Sequence, residues 1–142
     1  SDLPWSALVS PEHFLSTVTQ NVIELCHARD IDRYVVITAS GVGDSASEIP
    51  GWFRWIIKNS NIGKVYRDHE RQEHLLKNTE LLWTIIRPVG LTNKGLQKDV
   101  RISVEGWPRP SMTISRRSVA SFMVDVLENK NYIRQTPTIS GK

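Results

Sequence analysis

The sequence predicts an α/β fold built on parallel strands, and three observations predict it. Two short runs, Tyr34-Val-Val-Ile-Thr-Ala39 and Leu82-Trp-Thr-Ile-Ile86, are apolar, rich in β-branched residues and free of polar alternation. That is the signature of strands buried on both faces. Helical material lies between them, so parallel pairing through a right-handed crossover is expected. Loops follow their carboxyl ends, where open α/β sheets hold ligands.

The elements follow in order from their residues. Residues 1–9 read as irregular, with Pro4 and an exposed Trp5. Ser10 and Pro11 start a helix, since serine caps and proline suits the first turn. Phe14, Leu15, Val18, Val22, Leu25 and Cys26 recur at helical spacing, which predicts a helix over 11–28 with that stripe inward. Asp30-Ile31-Asp32 turns the chain into the strand at 34–39. Ser40-Gly-Val-Gly-Asp44 then leaves the sheet. Gly41, Gly43 and Ala46 have the spacing of a dinucleotide fingerprint, but that fingerprint needs a helix whose N-terminus faces the pyrophosphate. Residues 45–51 carry Ser47, Pro50 and Gly51 and cannot sustain one, so a flexible glycine-rich loop is expected. Trp52, Trp55 and Ile56 share one face of a short helix over 51–58. That face either covers the sheet's edge or forms a lid or subunit contact; aromatic stripes favour the core.

Residues 59–63 break this helix. From Tyr66 a charged run has helical spacing, with His69, Gln72, Glu73, Leu76 and Thr79 on one face. It predicts a helix over 68–80 on one face of the sheet. The strand at 82–86 ends at Arg87-Pro88, because proline donates no ladder hydrogen bond and biases Arg87 toward extended backbone. Thr92-Asn-Lys-Gly95 is turn chemistry. Residues 100–104 alternate as a strand with one exposed side, and Trp107-Pro-Arg-Pro110 reads as a rigid, extended connector. Ser115 caps a last helix, with Val119, Phe122, Met123, Val126 and Leu127 inward and an end near Asn129. Residues 136–140 form a short terminal strand, placed at an edge by Pro137.

A chain of 142 residues is expected to form one domain around a single core. Its net charge of +3 comes from scattered basic residues, which argues against a nucleic-acid partner, since that needs a clustered phosphate footprint. The single cysteine, Cys26, excludes an internal disulfide and reads as a small buried hydrophobe. No apolar run approaches ~20 residues and no signal-peptide pattern is visible, so a soluble, cytoplasmic protein without a membrane partner is expected. His13, His27 and His74 are too scattered for a metal site.

Four segments carry a resemblance: YVVITAS with GVGD after it, HERQEHLL, LLWTIIRPVGLT, and ISRRSVASFMVDVLEN followed by PTIS. In this order they resemble the carboxyl-terminal two-thirds of an atypical short-chain dehydrogenase/reductase, of the NAD(P)H-binding, NmrA-like or flavin- and biliverdin-reductase-like branch. The resemblance runs from about Trp5, and Trp83-Thr-Ile-Ile-Arg-Pro88 is its most specific part. It implies a single partial domain: a Rossmann-like parallel sheet flanked by helices, lacking its first two βαβ steps. Two departures from the family pattern matter. The glycine-rich phosphate turn after the first strand has no counterpart, and there is no Tyr-x-x-x-Lys pair. Val65 falls where that tyrosine would lie and His69 where the lysine would.

The resemblance implies that Ser40, Gly41, Val42 and Gly43 lie beside the nicotinamide of the cofactor. The Ser40 hydroxyl either hydrogen-bonds a substrate carbonyl or caps the turn. Arg87, Pro88 and Val89 would border the nicotinamide through backbone groups; the Arg87 side chain either binds a phosphate or pairs with an acid. His69, one helical turn from Glu73, is with Ser40 the catalytic candidate, as a proton carrier near neutral pH. The implied function is NAD(P)-dependent hydride transfer to a small or flavin-like acceptor, in which the protein mainly positions two ring systems. The alternatives are a non-catalytic NmrA-like dinucleotide sensor or scaffold, and an inactive fragment of the reductase. NAD(P) is expected for the full-length protein, with weak or absent binding in this chain. A small-molecule substrate is implied, and an exposed sheet edge would favour self-association.

Overall fold

The computed structural model describes residues 11–97 and 99–142. Along the chain run α1 (Phe14–Ala28), β1 (Arg33–Ile37), a 3₁₀ turn (Gly43–Ser47), α2 (Gly51–Asn59), α3 (Ile62–Lys77), β2 (Leu82–Pro88) and β3 (Gly90–Thr92). Then come β4 (Val100–Ser103), β5 (Thr113–Ser115), α4 (Arg116–Glu128) and β6 (Thr138–Gly141). They form two compact units: a helical one within 11–32 and 41–80, and a sheet unit of 33–40 and 81–142. The expectations for residues 1–9 and Ser10 lie outside the described residues.

In the sheet unit, four strands take the order β1-β2-β6-β4. β1 and β2 pair in parallel as the sequence predicts, Val36 opposite Ile85 and Ile37 opposite Ile86. With neighbours on both sides, β2 is buried from Trp83 to Pro88. β1 is only half-buried at every residue, contrary to the expectation, because it is an edge of the described sheet. β2 runs on through Arg87 and ends at Pro88, two residues beyond the run read from the sequence. Arg87 N donates to Pro137 O at 2.9 Å, and the Pro88 carbonyl accepts from Ser40 N at 3.0 Å, so the ladder continues without a proline N–H.

β6 is not an edge strand either. It lies between β2 and β4, parallel to the first and antiparallel to the second, with all four residues buried. Pro137 stands just before it and contributes only its carbonyl. The segment expected as an extended connector begins with a tight reversal. Glu105 (φ 52°) and Gly106 (φ 80°) turn the chain, and Val104 and Trp107 exchange two backbone hydrogen bonds of 3.1 Å. A separate two-stranded parallel sheet joins β3 to β5. Ile86, Ile114, Val119, Phe122, Val126 and Ile139 form the core. Each such buried side chain contributes roughly 1.5–3 kcal/mol. Ser115 caps α4 as expected, its Oγ accepting from Ser118 N at 3.1 Å. Leu127 is exposed, which trims the predicted stripe by one.

In the helical unit, α1 starts at Phe14 rather than 11 and turns a different face inward. Ser16, Thr19, Ile23 and Cys26 are buried, while Phe14, Val18 and Leu25 are exposed. The cause is polar: Asp68 of α3 accepts from Leu15 N at 2.7 Å, Ser16 N at 3.3 Å and Ser16 Oγ at 2.5 Å. This anchors the serine edge of α1 inside. α3 presents Asp68, Gln72, Glu73 and Leu76 inward, close to the face read from the sequence. The break before it is shorter than expected, since Ile62 and Gly63 already belong to α3. No residue of α2 is buried, and Trp52 and Trp55 are 62% and 64% exposed, so this stripe is not core.

Candidate functional site

In the sheet unit, parallel pairing brings the carboxyl ends of β1 and β2 together. Ser40, 6% exposed, is tied to Pro88 through its backbone N–H, and Thr38 N donates to Ile86 O at 2.9 Å. Arg87 is 2% exposed, and Val89 N donates to Ile139 O at 3.1 Å. Ser40, Arg87, Pro88 and Val89 thus share one end of one sheet. The backbone N–H groups of Ser40, Arg87 and Val89 serve the ladder. Carbonyls keep a second lone pair, and that is what this backbone can offer a planar amide.

Ser40 continues into Gly41, Val42 and Gly43, which belong to the helical unit. Their turn is closed on itself, not the flexible loop expected. Ser45 Oγ accepts from Gly41 N at 2.9 Å and donates to Val42 O at 2.8 Å, and Val42 is buried. Gly41 (φ 93°) and Gly43 (φ 54°) hold left-handed backbone that favours glycine. A Cβ on Gly41 would stand 2.7 Å from Ile49 Cδ1. The turn leads into five 3₁₀ residues, not an α-helix.

Gly41, Val42 and Gly43 line a cavity of about 260 Å³ together with Lys58 of α2 and Gly63, Tyr66, Arg67 and Glu70 of α3. Sequence reasoning missed these side chains. Their signal was present: 63, 66, 67 and 70 recur at three- and four-residue spacing, on a different face of α3 from the one beginning at His69. Burial pushes the Tyr66 phenol up to about 12, so it stays a protonated donor at neutral pH.

His69 does not line this cavity. It is half-buried, and its Nδ1 lies 3.0 Å from Gln72 Oε1. Burial lowers its pKa against the raising effects of Gln72, Asp68 and Glu73, which favours neutral imidazole. Ser40 belongs to the sheet unit and His69 to the helical unit. No group of three or more His, Cys, Asp or Glu positioned for a metal ion exists among the described residues. No helix among them is long and apolar enough to cross a membrane.

The carbonyls at the ends of β1 and β2 are acceptors of the kind the amide of a nicotinamide would need. A pyrophosphate needs open N–H groups in a glycine turn that leads into a helix. Among the described residues, Gly41 N is already donated to Ser45 and its turn opens no α-helix.

The family described as NAD(P)H-binding matches residues 2–130. No curated protein matches the sequence. Among solved structures, the chain is similar to a wide-type short-chain dehydrogenase/reductase from Veillonella parvula DSM 2008 in complex with NADP. The two share 19% identity at a TM-score of 0.74, over 88% of this chain and 58% of that one. It is also similar to ChuY, an anaerobillin reductase from Escherichia coli O157:H7, at 17% identity and a TM-score of 0.74, over 95% and 61% of the two chains. A Rossmann-fold NAD(P)-binding family protein from Shigella flexneri matches at 21% identity and a TM-score of 0.65, over 99% and 60%. The likeness establishes a Rossmann-like α/β architecture. The chain spans about three-fifths of the length of these structures.

Proposed function

The chain belongs to the NAD(P)H-binding family, and from that premise we propose that it is part of an NAD(P)H-dependent reductase of the atypical short-chain type. Its two units are parts of one partial Rossmann-like domain, whose full-length form transfers hydride to a small or flavin-like acceptor. One observation carries the proposal: the parallel β1–β2 pair, whose carboxyl ends join Ser40 to Pro88. The likeness to an anaerobillin reductase supports reduction as the reaction type.

When bound, the nicotinamide supplies the hydride. The chain's task is to orient and to shield. Ser40 and the backbone at Arg87, Pro88 and Val89 border the nicotinamide. The Ser40 hydroxyl donates to the acceptor's heteroatom as charge develops there, a group worth stabilising in a water-poor site. His69 is the proton carrier; with Nδ1 beside Gln72, the role falls to Nε2.

Hydride turnover tests this. A chain extended at its N-terminus to the length of the solved relatives is expected to oxidise NADPH with a dye acceptor, and Ser40→Ala to slow it by about tenfold to a hundredfold, the range for one lost transition-state donor. Dinucleotide binding without turnover would instead identify a non-catalytic sensor or scaffold of NmrA-like character.

A further inference from the structure

We propose that the cavity beside the glycine turn is a recognition subsite for a carboxylate carried by the acceptor. This rests on the reductase function proposed above and adds a substrate class to it. The cavity holds about 260 Å³. Sites that enclose whole small molecules span roughly 300–1,000 Å³, so this one takes one end of a larger ligand.

Its wall brings two cations together. A Cβ on Gly63 would collide with the Ile57 carbonyl, so the end of α2 and the start of α3 approach each other with only a glycine between them. This close approach sets Lys58 and Arg67 on one cavity, with Arg67 Nη1 3.5 Å from the Cβ position at Gly63. Among the described residues neither cation makes an ion pair. Glu70 also lines the cavity, leaving one net positive charge on its side chains. Arginine's planar fork matches a carboxylate in two parallel hydrogen bonds. The ligand's carboxylate is favoured over a cofactor phosphate because the turn's own Gly41 N–H is already donated to Ser45.

The test needs no cofactor. The ¹⁵N-labelled chain is titrated separately with benzoate, benzamide and inorganic phosphate while the amide resonances of Gly41, Gly43 and Gly63 are followed. Benzoate is expected to shift them saturably, and benzamide and phosphate to bind at least about tenfold more weakly, the difference one charge-assisted hydrogen bond makes. Arg67→Gln and Lys58→Gln, both at exposed positions, are each expected to weaken benzoate by a similar factor. Equal binding of benzamide, preference for phosphate, or indifference to both substitutions overturns the subsite. Hydride turnover by the extended chain is read separately. Turnover without benzoate discrimination rejects the subsite alone, and benzoate binding without turnover rejects the reductase alone.

Discussion

Asp68→Ala removes the carboxylate that organises the helical unit. Leu15 and Ser16 are the second and third residues of α1, whose N–H groups have no partner within a helix. A local cap would ordinarily take them, but His13 makes no side-chain cap bond. Asp68, 3% exposed, replaces it from another helix and also accepts the Ser16 hydroxyl. Hydrogen bonds to a charged group contribute roughly 1.5–3 kcal/mol each, but bonds that share one acceptor are not additive. Leu15 is half-buried, so water can reach its N–H after the substitution, whereas Ser16 at 7% exposure stays dry. The expected loss is therefore about 3–5 kcal/mol, a large part of a typical ~5–15 kcal/mol. Arg71 is a control. Its Nε lies 3.6 Å from Asp68 Oδ1, beyond hydrogen-bond distance and on a partly exposed side chain, so Arg71→Gln should cost less than about 1 kcal/mol. Urea unfolding followed by circular dichroism measures all of these. A loss below about 1 kcal/mol for Asp68→Ala, or strict additivity with Ser16→Ala, would refute the capping role.

Two further outcomes follow from burial. Ile85 is fully buried in the middle of β2, so Ile85→Asp places an unpaired charge in the sheet and should abolish cooperative unfolding; a near-wild-type thermal midpoint would count against the assigned register. The folded state holds His69 below its ordinary value of 6.5, so its contribution to stability is present above that value and lost as pH falls through it toward the lower folded one. The urea midpoint should accordingly drop as pH falls below the ordinary value of 6.5, and by less in His69→Gln; an unchanged pH dependence in that variant would exclude His69 as the source.

The strand runs at 34–39 and 82–86 were legible because β-branched residues without alternation have few other uses. Ser115 was legible because capping is local chemistry. What failed to show depends on partners distant in sequence. The inward face of α1 follows Asp68, more than fifty residues away, instead of its own apolar spacing. β6 was misplaced because Pro137 looks like an edge residue until its position one residue before the strand is known. The exposed Trp52 and Trp55 show that aromatic spacing fixes a shared face without saying what that face meets. For the candidate site, the family's strand pattern made the neighbourhood of Ser40 and Pro88 legible, and the structure joins the two by a backbone hydrogen bond. Tyr66 and Arg67 were not legible as a site because the cavity lies against the face of α3 that holds Gly63, away from the face that holds His69.

The central claim is that this chain carries the nicotinamide side of a dinucleotide site, and titration with NADPH tests it most directly. Pyrophosphate contacts comprise several charge-assisted hydrogen bonds of roughly 1.5–3 kcal/mol each, and a micromolar site needs about 8 kcal/mol in total. The 142-residue chain is therefore expected to show no measurable NADPH binding at about 100 μM by calorimetry, while the N-terminally extended chain binds in the micromolar range. Tight binding by the 142-residue chain would contradict the account and make the turn of Gly41, Val42 and Gly43 the phosphate cradle; failure of the extended chain to bind would contradict it as well.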